Sequence, residues 1–230
     1  VVVPLVEETE KSDLEALVKD AVDREDLSLS DEVNGLSRPG ILLRDAIQRA
    51  NKVIFQTART QSNCEGMGTT VVAGLFFDDK LTIAHVGDSR MYRCRDGKLE
   101  QVTQDHSLLQ ELVSRGFYTP EEAHRAAAKN YVTRALGVEP TVDVEITETP
   151  ALKDDVYLLC SDGLSDMVED DDIQLTINTF GANLETVAKQ LVLLGNDNGG
   201  RDNISVVPVR LLEEFPAQRG VIDRIRKLFG

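Results

Sequence analysis

Three short segments set an aspartate beside glycine or another small residue at the end of an apolar run. They are Ala84-His85-Val86-Gly87-Asp88-Ser89-Arg90, Leu158-Leu159-Cys160-Ser161-Asp162-Gly163-Leu164 and Gly199-Gly200-Arg201-Asp202-Asn203-Ile204-Ser205. A strand is a rigid platform, and small neighbours let a cation and its waters approach a carboxylate. Hard ions such as Mg²⁺ and Mn²⁺ take such oxygen donors and keep several waters. One Asp-Gly after a strand is also ordinary turn chemistry. Three of them, far apart in the chain, make Asp88, Asp162 and Asp202 candidate metal ligands.

Other chemistries find no support. A cysteine-dependent phosphatase needs an Arg six positions after its Cys, where Cys64, Cys94 and Cys160 are followed by Thr70, Glu100 and Asp166. No GxxxxGK[ST] loop occurs, and Gly66-Met67-Gly68-Thr69-Thr70 leads into a strand pattern instead of a helix. Asp170-Asp171-Asp172 and Asn196-Asp197-Asn198-Gly199 lack the alternating ligands and terminal Glu of an EF-hand loop. The first reads as acids at a helix start, which the helix dipole favours. The three histidines, 85, 106 and 124, show no zinc spacing and read as one strand residue and two loop residues.

The elements that must position these residues follow from periodicity. Leu14, Leu17, Val18 and Val22 predict a helix over 11–24, and DREDLSLSDEVNGLSRPG reads as a surface loop. Leu43, Ile47, Ala50 and Ile54 predict a second helix over about 40–57. TTVVAGLFF, KLTIAHVG, RMYRCR and LEQVT then read as an antiparallel meander of four strands, with Asp79-Lys80 and Arg95-Asp96-Gly97-Lys98 as turns. A polar helical stretch covers about 106–138: one short helix after Ser107 that ends near Gly116, and another opened by Thr119-Pro120-Glu121-Glu122. Strands return at 142–148 and 155–160, helices at about 170–180 and 183–194, and a last strand in NISVVPVRL. RGVIDRIRKLF at the end is a short amphipathic pattern that suits either a packed helix or a linker. No repeat is visible, and the order suggests one mixed α+β domain over 1–214 with a tail at 215–230.

Of the 230 residues, 41% are apolar and 28% charged, as in a soluble globular protein. A net charge of −15 opposes nucleic acid and anionic lipid. No apolar run is long enough to span a membrane. Three widely spaced cysteines fit a reducing compartment, the cytoplasm, better than a disulfide framework.

Taken in order, HVGDSRMY, CSDGLSD and GGRDNISV, with Glu65-Gly66-Met67-Gly68-Thr69-Thr70 and Gln104-Asp105-His106-Ser107, resemble motifs of the metal-dependent (type 2C, PPM) protein serine/threonine phosphatases of bacteria. The resemblance spans about residues 40–211. It implies a four-layer α-β-β-α sandwich of two mainly antiparallel sheets. It also implies two Mg²⁺ or Mn²⁺ ions held in part by Asp162 and Asp202, with Asp88 and Asp162 at a third, weaker ion. The activity implied is removal of phosphate from phosphoserine and phosphothreonine in phosphorylated proteins by a metal-activated water, often in opposition to a Ser/Thr kinase. Residues 106–138 match the family's flap beside the site. Arg115, His124, Arg125, Lys129 and Arg134 make that stretch basic, which fits phosphoprotein recognition and equally a solvated helix face.

The chain also departs from the pattern. The Asn-Glu-Asp and Asp-Gly-x-Gly-Gly segments are not found, and with them go a phosphate-binding Arg, a bridging acid and a His used as general acid. Two readings follow. Either these 230 residues are the phosphatase domain without its N-terminal segment, and weakly active or inactive alone, or the protein is a catalytically inactive phosphatase-like binding or scaffolding module.

Overall fold

The structure, a computed structural model, describes residues 35–119, 122 and 131–216. The helix expected over 11–24 and the amphipathic pattern RGVIDRIRKLF lie outside those residues.

Helix α1 (Arg38–Thr60) begins about two residues earlier than the apolar pattern suggests, because Ser37 caps it. The Ser37 hydroxyl accepts from the Gly40 N–H at 3.3 Å. Pro39 sits in the first turn, where its missing N–H costs nothing, so the Pro-Gly pair opens a helix and does not end a loop. Its buried face carries Leu43, Ile47, Asn51 and Ile54. The strands follow as β1 (Val71–Phe77), β2 (Lys80–Val86), β3 (Arg90–Arg95), β4 (Lys98–Gln101), β5 (Glu145–Pro150), β6 (Val156–Cys160) and β7 (Val206–Arg210). Helix α2 (Leu108–Ser114) lies between β4 and β5, and α3 (Asp162–Ser165), α4 (Asp170–Phe180) and α5 (Leu184–Asp197) lie between β6 and β7.

The expected four-strand meander is two hairpins in two different sheets. Strands β1 and β2 join β5 in a three-stranded sheet ordered β1-β2-β5, and β3 and β4 enter a four-stranded sheet ordered β4-β3-β6-β7. The chain changes sheet at Gly87-Asp88-Ser89, a crossing that a period-two pattern on both sides conceals. The first turn is also shifted by one residue. Asp78 and Asp79, at φ 51° and 56°, make it, and Lys80 already belongs to β2. The second turn is Asp96-Gly97 as expected.

Alternation distributes the strand residues among three cores. Val71, Ala73, Leu75, Ala84 and Val86 pack against Leu43, Ile47 and Ile54 of α1. Val72, Leu81 and Ile83 meet Met91, Tyr157 and Leu159 between the sheets. Tyr92, Val156, Leu158 and Cys160 face Leu164, Ile173, Ile177, Val187 and Leu191 of the later helices. The layers are therefore helix, sheet, sheet, helix, an α+β sandwich. Among the described residues no helix is long and apolar enough to cross a membrane.

Candidate active site

Pairing in the four-stranded sheet brings the three aspartate segments to one end of it. Arg90 of β3 lies opposite Cys160 of β6, and Cys160 opposite Val206 of β7. Asp88 precedes Arg90 by two residues, Asp162 follows Cys160 by two, and Asp202 precedes Val206 by four. All three lie just beyond the same row of the sheet.

The loops carrying Asp162 and Asp202 are tied together. The Ser161 N–H donates to Ser205 O at 3.1 Å, and the Ser161 hydroxyl donates to Asn203 O at 3.0 Å while accepting from the Ser205 N–H at 3.0 Å. Gly163 permits this approach, since a Cβ there would lie 2.4 Å from Asn203 O. Each carboxylate accepts from the next backbone N–H, Asp162 from Gly163 at 2.8 Å and Asp202 from Asn203 at 2.7 Å.

Asp88 is held from the other side. Gly87 has φ +112°, and a Cβ there would lie 2.3 Å from Thr70 Cγ2. The Thr70 and Ser89 hydroxyls share a hydrogen bond at 2.8 Å. Arg90 makes a two-pronged ion pair with Asp105, and its Nη1 donates to the Tyr92 hydroxyl, which in turn donates to Asp170. The Gln104-Asp105-His106-Ser107 segment is thereby fastened to β3.

The carboxylates act on one another. Burial, and then the charges of Asp162, Asp105 and Asp166, raise the Asp88 pKa to about 6. Burial raises Asp162 as well, with Asp202 and Asp166 adding to the shift and the Gly163 N–H opposing it. Carboxylates that disfavour each other's ionisation suit a site completed by a cation, which reverses the sign of that interaction. Asp166 is the last residue of the CSDGLSD string. One turn past Asp162, it adds charge beside both Asp88 and Asp162.

The aspartates' ligand atoms do not form a tight triad. Among the described residues, the set of three with all ligand atoms within 4.8 Å is His85, His106 and Glu145. The two histidines lack metal-binding spacing in sequence. They meet because β2 and the Gln104–Ser107 segment lie side by side, and no sequence signal marks Glu145 as their neighbour. Of the basic residues in the 106–138 stretch, Arg115 and Arg134 are described and His124, Arg125 and Lys129 lie outside. Thr119 does make the expected cap, exchanging hydrogen bonds with Glu122.

The protein phosphatase 2C family profile matches residues 8–112. The serine/threonine phosphatase Stp of Listeria monocytogenes is 39% identical over 178 residues, 77% of this chain and 69% of that protein. The chain belongs to the protein phosphatase 2C family. A crystal structure of the Mycobacterium tuberculosis serine/threonine phosphatase PstP superposes with a TM-score of 0.72 at 34% identity, covering 91% of this chain and 86% of that one. A PstP catalytic domain in complex with two manganese ions superposes with a TM-score of 0.71 at 36% identity, covering 90% and 82%. The chain is thus a metal-dependent protein serine/threonine phosphatase by family, and its two sheets flanked by helices are the family fold.

Proposed function

We propose that the phosphatase's metal centre is built on Asp162 and Asp202, with Asp88 and Asp162 offering a place for a further ion, and that Mn²⁺ or Mg²⁺ occupies it. The observation that carries this reading is the convergence of these aspartates at one end of the four-stranded sheet, where burial first and neighbouring carboxylates second raise the pKa of Asp88 and Asp162. Divalent cations held there supply Lewis acidity, lowering the pKa of a water and offsetting charge on the phosphoryl oxygens. The chain's own residues do the placing. Strands β6 and β7 carry Asp162 and Asp202 on rigid ends, the Ser161 hydrogen bonds fix the spacing of their loops, and the Thr70–Gly87 contact fixes the turn of Asp88.

The substrates on this reading are phosphoserine and phosphothreonine proteins, including targets of a partner Ser/Thr kinase, in the cytoplasm. The 230 residues by themselves contain no match for the family's bridging acid and phosphate-binding Arg, so weak or no turnover is expected of them. Phosphothreonine and phosphotyrosine peptides of one sequence, offered to the natural-length protein with Mn²⁺, test the substrate class. Release of phosphate from the phosphothreonine peptide at a rate well above the other is expected. Equal rates, or none from either, would reject the assignment.

A further inference from the structure

His106 is 7% exposed and lies where the chain leaves β4 for α2. Its backbone and its ring both bind Gly87, the residue before Asp88. The His106 N–H donates to Gly87 O at 2.9 Å, and the Gly87 N–H donates to His106 Nδ1 at 3.0 Å. An N–H aimed at Nδ1 requires a lone pair there, so the neutral ring carries its proton on Nε2. That proton faces Glu145 Oε2 of β5 at 3.1 Å. The ring stacks on His85 of β2 at 4.6 Å, and the His85 Nε2 lies 2.8 Å from Gln104 O.

His106 and the two residues after it tie the two ends of the 106–138 segment together at its root. His106 O accepts from the Thr133 N–H at 2.8 Å, Ser107 bridges Val132, and the Leu108 N–H donates to Tyr131 O at 2.9 Å. Arg134 Nη1 lies 3.2 Å from His106 Nε2. The cluster is not a cation site, since His106 Nδ1 is taken by Gly87 and the guanidinium already occupies the space beside Nε2.

We propose that His106 is a positioning residue that sets the Gly87-Asp88 turn and the root of the 106–138 segment as one unit. This rests on Asp88 belonging to the metal centre, as proposed above. Protonation of the ring would put a second donor against the Gly87 N–H. Burial lowers the ring's pKa from the usual 6.5, with His85 and Arg134 acting in the same direction against the hydrogen bond that Glu145 accepts. His85, Arg134 and Glu145 are the titratable and charged groups around the ring.

Two substitutions in the natural-length protein separate the roles of the two ring nitrogens. In His106→Asn the side-chain oxygen can still accept from the Gly87 N–H. In His106→Gln the amide reaches toward Glu145 and leaves that N–H without a partner. Hydrogen exchange of the Gly87 amide should stay within about threefold of wild type in His106→Asn and rise about tenfold or more in His106→Gln. Turnover of a phosphothreonine peptide, as kcat/KM, should follow the same order, falling about tenfold or more only in His106→Gln. If the two variants behave alike, or His106→Gln matches wild type in either readout, the proposal is wrong. A wild-type protein without turnover would count against the phosphatase reading, and the Gly87 exchange would still decide the role of His106. Ring ¹⁵N shifts of the unaltered protein need no variant: an unprotonated Nδ1 at neutral pH is expected, and a protonated one overturns the proposal.

Discussion

Gly87 is the residue on which most of the site's geometry turns, because it meets Thr70 on one side and His106 on the other with no room for a side chain. Gly87→Ala would bring a Cβ to 2.3 Å from Thr70 Cγ2 at a φ of +112°. The backbone conformation and the overlap together should cost about 2–4 kcal/mol, read as a lowered midpoint in thermal or urea unfolding. An unchanged midpoint would mean that the turn adapts freely and does not fix Asp88. The three aspartates were legible because each sits in a distinctive string after an apolar run. Asp166 was not, although it lies in one of those strings, because its effect is exerted through space on Asp88. The pairing of His106 with Glu145 was hidden for the same reason, the partners being 39 residues apart.

At the scale of elements, the span of α4, the start of α5 and the β3–β4 turn could be read from local patterns, while α5 runs on to Asp197, past the expected end at 194. The change of sheet between β2 and β3 could not, since alternation is identical on both sides of it. Two buried polar contacts fix how elements meet, and both escaped the apolar pattern. Asn51, fully buried in α1, donates to Glu139 O at 3.0 Å and accepts from the Gly137 N–H at 2.8 Å, which ties the end of the 106–138 stretch to the helix. Asn51→Ala should leave both backbone groups unsatisfied and cost about 2–3 kcal/mol, measured by chemical unfolding. Asp155, 1% exposed, joins the end of β3 to the start of β6 through Arg95, the Leu152 N–H and the Tyr157 hydroxyl. Burial pushes its pKa up, but those partners, Arg95 foremost, bring it below 3.8. A depressed folded pKa gives stability that is present at neutral pH and is lost as pH falls through that value. Asp155→Ala should therefore cost about 3 kcal/mol at neutral pH. The gap from wild type should narrow in acid below about pH 4. A gap constant with pH would show that packing, and not the charge pair, accounts for the loss.

The whole molecule is a sandwich whose two sheets and flanking helices bring three distant loops to one end. The net charge of −15 is partly concentrated there, around Asp88, Asp162, Asp166 and Asp202. On the proposed reading cations offset that concentration, and the PstP catalytic domain that superposes on this chain is in complex with two manganese ions. The most direct test is hydrolysis of para-nitrophenyl phosphate by the natural-length protein across a Mn²⁺ titration, beside Asp162→Asn and Asp202→Asn. Turnover that saturates with Mn²⁺ and falls by about a thousandfold or more in both variants, with unfolding midpoints kept, is the predicted result. Metal-independent turnover, or variants as active as wild type, would contradict the placement of the metal centre on these two aspartates.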